Sequence, residues 1–152
     1  MADNTQGVSK HEAVREYFSD KIQELTSSAL GFNYSPDTES VAIIPQYSDR
    51  NVRDYINGDR QRQYSFSFII VRPYSSDPLD VLNTEAMELG QAFMDWIEQQ
   101  DEAGDYPDFG EGCEVERMEV LQNMPNLASV NAKEGIARYM IQGRIIYREY
   151  AE

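Results

Sequence analysis

The spacing of apolar residues switches between helical and strand periods along the chain. Val14, Phe18, Ile22 and Leu25 recur at helical steps, and Ser9 precedes Glu12 by the interval at which a hydroxyl caps a first turn. One amphipathic helix over residues 10–29 is predicted. Gly31, Asn33 and Pro36 then break the period, and "VAIIPQY" predicts a short strand, placed at a sheet edge because Pro45 has no ladder donor. The polar stretch 48–62, with Asn57-Gly58 as its turn, predicts a hairpin. In "QYSFSFIIVRPY", Tyr64, Phe66, Phe68 and Ile70 share one parity and Ser65 and Ser67 the other, the mark of a central strand with one buried face. Asp77 as cap and Pro78 at the first helical position open a second helix over 78–100, with Leu82, Ala86, Leu89, Phe93, Trp96 and Ile97 facing inward. A Gly-, Pro- and Asp-rich loop follows, then a strand near 114–121, the turn "NMPN" and a final strand in "IARYMIQGRIIYREY".

The resulting order α-β-β-α-β-β predicts an α+β fold: a two-layer sandwich, a four-stranded, mainly antiparallel sheet with two helices on one face. A single domain over 9–152 is expected behind a flexible stretch 1–8. The last strand sets Ala137, Tyr139, Ile141, Gly143, Ile145 and Tyr147 on its inward parity. Arg138, Gln142, Arg144 and Arg148 fall on the other, with Met140 and Ile146. In such a sandwich the second face has no element left to cover it, so Arg138 and Arg144 are expected on a surface that is either wetted or met by a neighbour.

Charge narrows the function classes. With 152 residues, 13 basic and 27 acidic, the chain carries a net −14, which disfavours adhesion to nucleic acid or anionic lipid. No apolar run approaches a membrane span, and the N-terminus lacks the apolar core of a signal peptide, so a soluble protein of the cytoplasm is expected. The lone Cys113 has no disulfide partner within the chain.

Catalytic chemistry is scarce. His11, the one histidine, sits in the first turn of the first helix and reads as a surface residue. Cys113 has no sequence-local base to activate it. Between Glu98 and Glu119 stand nine carboxylates against Arg117, but their spacing is not that of a calcium loop and Pro107 stiffens the middle, so a solvated acidic loop is expected. No phosphate-binding loop is present, and no metal or cofactor is expected. Arg50, Arg53, Arg60, Arg62 and Arg72 gather around the first hairpin among Asp49, Asp54 and Asp59. That interleaving reads equally as an ordinary mixed-charge loop or as a docking loop; in the second case a basic loop in one half and an acidic loop in the other would let copies associate head to tail, and Arg50, Arg53, Arg60, Arg62, Arg138 and Arg144 are the candidate contacts to a second subunit or another structural protein.

The stretch "YSFSFIIVRPYSSDPLDVLNTEAMELGQAFMDWIEQQ", then "EVERMEVLQNMPNLAS" and "GIARYMIQGRIIYREY", resembles the small neck proteins of long-tailed bacteriophages and of prophages of Gram-positive hosts, a family labelled minor capsid protein and similar to tail terminators. The likeness spans residues 60–150. Gly143 departs from the bulkier residue of the family pattern, which points to a bulge or a close backbone approach. The resemblance implies a homo-oligomer, a ring typically of six, that caps the tail tube, ends its polymerisation and provides the surface for head attachment. Its implied partners are the major tail tube protein and the head-tail connector protein; DNA would pass through the lumen without specific binding, and no membrane is involved. The implied location is the virion neck, after assembly in the host cytoplasm, with no enzymatic activity. A head-completion adaptor on the portal side, or a small acidic regulator or inhibitor, is the alternative.

Overall fold

The computed structural model describes residues 9–36, 38–47, 51–77 and 79–151. Helix α1 (Lys10–Thr26) starts where Ser9 Oγ accepts the Glu12 amide at 3.0 Å and stops at Ser27, whose φ of 60° turns its own amide onto the Gln23 carbonyl. It is therefore three residues shorter than the 10–29 predicted. There follow β1 (Leu30–Phe32), β2 (Ser40–Gln46), β3 (Asn51–Asp54), β4 (Arg60–Pro73), α2 (Val81–Ala103), β5 (Cys113–Val120), β6 (Asn126–Asn131) and β7 (Ile136–Glu149).

Two 14-residue strands are the frame. β4 and β7 pair antiparallel along their whole length, from Arg60 opposite Glu149 to Pro73 opposite Ile136. Each is too long for one partner on its other edge, so β3 and β2 line β4 end to end while β5 and β6 line β7. β1 joins β2 in parallel. The expected four-stranded, mainly antiparallel sandwich of order α-β-β-α-β-β is thus overturned: among the described residues two helices accompany a seven-stranded mixed sheet. The hairpin expected around Asn57-Gly58 is present as β3 and the start of β4, but none of the three strands beyond the expected four carries an alternating pattern. β1 is three residues, β3 has Val52 as its one apolar residue, and all six residues of β6 are exposed, so no buried face writes an alternation into its sequence. β2 also has a neighbour that its proline seemed to forbid, but β1 pairs only with Val41–Ile43 and stops short of Pro45.

Helix α2 begins later than the pattern placed it. Asp80 Oδ1 accepts the Leu82 amide at 3.0 Å and caps the helix, while Asp77, the expected cap, closes the turn before it by accepting the Leu79 amide. The role expected of Pro78 lies outside the described residues. The core is aromatic: Phe18 of α1 and Phe93 of α2 meet Phe68 edge to face at 5.0 and 4.6 Å, and Phe66 completes the cluster. Trp96 lies at its rim, half-buried and stacked on Phe93, and the buried row of α2 is Ala86, Gly90, Phe93, Met94 and Ile97. Leu82, expected inside, is exposed.

The opposite face of the sheet is not bare. Ala42, Ser67, Val71 and Ile146 are buried on it. The connection between β1 and β2 crosses that face, and Arg138 holds it by donating from Nη2 to the carbonyls of Ser35 at 3.3 Å and Pro36 at 2.9 Å.

Candidate subunit interface

The predicted contact residues part company in three dimensions. Arg50 lies outside the described residues. Arg53 on β3 and Arg60 at the start of β4 are exposed, with Arg60 Nε 3.8 Å from Asp54 Oδ1. Arg62 is 5% exposed, and its Nη2 lies 3.4 Å from Glu149 of the same chain. Two-residue steps along β4 carry it to the same side of the sheet as Phe66 and Phe68, away from any neighbour. Arg138 is occupied by the crossover. Arg144 Nε pairs with Glu119 on β5, and its Nη1 donates to Gln63 on β4 at 3.2 Å, so this stripe residue bridges across three strands of its own sheet.

Folding also undoes the expected separation of basic and acidic loops. Gln61 donates to Glu116 at 2.8 Å, and Arg148 reaches Asp59 at 2.8 Å, so at this end of the sheet long side chains link the base of β4 to β5 across the intervening β7 within one molecule. The hairpin is tied down at its turn, where Tyr55 and Asp59 close the loop and a Cβ built on Gly58 would lie 3.1 Å from the Ala151 Cβ. Asp59 Oδ1 accepts the Ala151 amide at 2.7 Å, Oδ2 accepts from Arg148, and the Arg148 guanidinium lies 4.2 Å over the Tyr55 ring. The Ala151 amide, with Arg148 and Asn57, holds the Asp59 carboxyl below its ordinary range against the opposing effect of burial. At the tip Gly58 takes φ 95°, which the Asn-Gly turn requires, and Ile56 stands wholly exposed. Ile56 is the signal the sequence reading passed over, a large apolar residue in an otherwise polar turn.

On the far edge of the sheet a groove of about 330 Å³ runs between α2 and β5. Met94, Met118 and Val120 form its floor, Asp95 and Glu98 stand on its rim, and Leu121 and Met124 are exposed beside it. Asp101, which also borders it, is committed to the fold: its Oδ1 accepts from the Tyr106 hydroxyl at 2.7 Å and from the Met118 amide at 2.8 Å, pinning β5 to the last turns of α2.

His11 Nδ1 lies 2.7 Å from the Tyr64 hydroxyl, and burial pushes that phenol up to about 12. Burial likewise pushes the Cys113 thiol up, outweighing Lys10 and Arg62 nearby, so it stays protonated at neutral pH. Among the described residues no three metal-ligating side chains converge. No helix among them is long and apolar enough to cross a membrane. No protein-family model matches the chain, and no curated protein matches it. One solved structure, of a protein whose name is only a serial designation, aligns with a TM-score of 0.46 at 12% identity over 92% of each chain.

Proposed function

We propose that this chain is a structural subunit of a bacteriophage neck, one copy in a ring that caps the tail tube, ends its growth and offers the surface to which the head attaches. Besides the resemblance over residues 60–150, one observation supports the reading: apart from the singly placed Tyr34, Tyr47 and Tyr150, the exposed large apolar side chains fall into three stretches of the chain. Val52 and Ile56 belong to the hairpin, Leu79, Val81 and Leu82 surround the start of α2, and Leu121, Met124, Leu127 and Val130 follow the edge from β5 to β6. Isolated exposed apolar residues are ordinary, but grouped ones mark contact surfaces, and several such surfaces suit a subunit with more than one neighbour. A ring subunit touches a copy on each flank and the tube below.

The tube partner is the major tail tube protein and the head-side partner the connector. A net −14 per copy, repeated around the annulus, favours DNA sliding through the lumen over DNA adhering to it. Negative-stain microscopy of the purified chain, alone and with isolated tail tubes, tests the proposal. Annular particles, seated on tube ends when tubes are supplied, are expected; a chain that stays monomeric and leaves tube ends bare would refute it.

A further inference from the structure

We infer that the β3–β4 hairpin of one copy seats in the α2–β5 groove of the next, a head-to-tail contact that joins subunits of the proposed ring; the inference rests on that subunit reading and names its contact. The two surfaces sit at opposite edges of the sheet, the hairpin on the edge of β4 and the groove beyond β7, so a chain cannot fold one into its own other. They are complementary in both chemistries. The hairpin offers exposed Val52 and Ile56 with Arg53 and Arg60 against one exposed carboxylate, Asp54, which lies 3.8 Å from Arg60, while its Asp59 is turned inward onto Arg148. The groove offers an apolar floor at Met94 and Val120 under the carboxylates of Asp95 and Glu98.

Helix α2 makes the asymmetry sharper. Between Val81 and Ala103 it carries Glu85, Glu88, Asp95, Glu98, Asp101 and Glu102 and no Lys or Arg. Carboxylates crowd its C-terminal turns, where the helix dipole opposes them and nothing basic in the last turn compensates. An arriving guanidinium relieves that repulsion at the place where the groove opens. The edge hairpin that brings it is already held at its turn by Asp59, Arg148 and Tyr55, so docking freezes little backbone.

A pair of double variants tests the contact. Arg53→Ala with Ile56→Ser disables the hairpin, and Asp95→Lys with Glu98→Lys disables the groove; all four side chains are exposed, so both proteins should keep the wild-type circular dichroism. Sedimentation velocity over a concentration series should show wild-type self-association that weakens with salt. Each double variant should associate at least about tenfold more weakly, as expected when one side of an interfacial charge pair and its apolar anchor are lost. Mixed in equal amounts, the two variants should give a heterodimer that grows no further, since one keeps an intact groove and the other an intact hairpin. Variants that associate like the wild type would overturn the contact and leave the ring reading standing. A wild type that stays monomeric alone and with tail tubes would remove both. Binding of the groove only to a different neck protein would overturn the contact between copies.

Discussion

Gly143→Ala adds a single carbon to the sheet, and the structure says where it goes. Gly143 sits in β7 opposite Phe66 on β4 and Val120 on β5. A Cβ built there would lie 2.9 Å from Cε1 and Cζ of the Phe66 ring and 2.8 Å from the Glu119 carbonyl oxygen. The ring could shift only by pressing on Phe18 and Phe68, whose centroids are 5.6 and 5.3 Å away, and the carbonyl is backbone of a paired strand. Overpacking of this kind costs roughly 1–3 kcal/mol. Alanine regains roughly 0.5–1 kcal/mol over glycine in a strand interior, which leaves a net loss of about 1 kcal/mol at mid-range and at most about 2.5 kcal/mol. For a chain of 152 residues the mid-range loss is a fall in Tm of roughly 2–4 °C, readable by calorimetry. The assignment is sharpened by a double-mutant cycle with Phe66→Leu: a shorter side chain frees part of the space, so the two losses should be less than additive by at least about 0.5 kcal/mol. A Gly143→Ala protein as stable as the wild type, or strictly additive losses, would refute the close approach.

Phe93→Ala should cost about 3–5 kcal/mol in urea unfolding, whereas Trp96→Ala should cost clearly less because Trp96 is only half-buried; equal losses would contradict the placement of the aromatic cluster. Burial pushes the phenols of Tyr17, Tyr64 and Tyr106 up to about 12. A raised folded-state pKa gives stability that is complete below the ordinary tyrosine value of 10.0 and lost as pH climbs toward 12. Phenolate absorbance should therefore show a late-ionising group of tyrosines that merges with the rest on unfolding; a single transition near 10.0 would contradict it. Asp59 has the opposite sign: its lowered carboxyl contributes stability above the ordinary carboxylate range and loses it as pH falls through the lowered value. Asp59→Asn should lower Tm at neutral pH and match the wild type in strong acid, and an equal deficit at both would discount the ionised carboxylate.

Where burial alternates along a strand, the sequence pattern reads true. Tyr64, Phe66, Phe68 and Ile70 of β4, and Tyr139, Ile141 and Ile145 of β7, are the rows that pack together on the helices. The Ser9 cap of α1 was equally legible, because capping is decided within four residues. What failed depended on distant chain. The start of α2 moved because Asp77 and Asp80 are equally good caps and Asp77 was taken by a turn with Leu79. β1 and β6 exist because β2 and β7 offer them backbone partners, a reason that leaves no mark on their own side chains.

The candidate site shows the same limit in its charges. Parity puts Arg138 and Arg144 on the second face, but it cannot say what else arrives there, and Ser35, Pro36, Glu119 and Gln63 all do. The basic block of the hairpin was read as one surface, although Arg62 lies inward against Glu149 and only Arg53 and Arg60 among its described arginines stand exposed. Internal pairing of this kind also absorbs Arg72 on Glu39 and Arg148 on Asp59. With its arginines spent in this way, a net −14 chain presents mostly acid outward, and copies of it repel at long range. Any association between them must therefore be short-ranged and must use the places where the outward sign reverses. An edge hairpin whose exposed Arg53 and Arg60 outnumber its exposed Asp54, with Ile56 exposed at its turn, and a groove walled by a helix whose charged residues are all acidic meet that requirement.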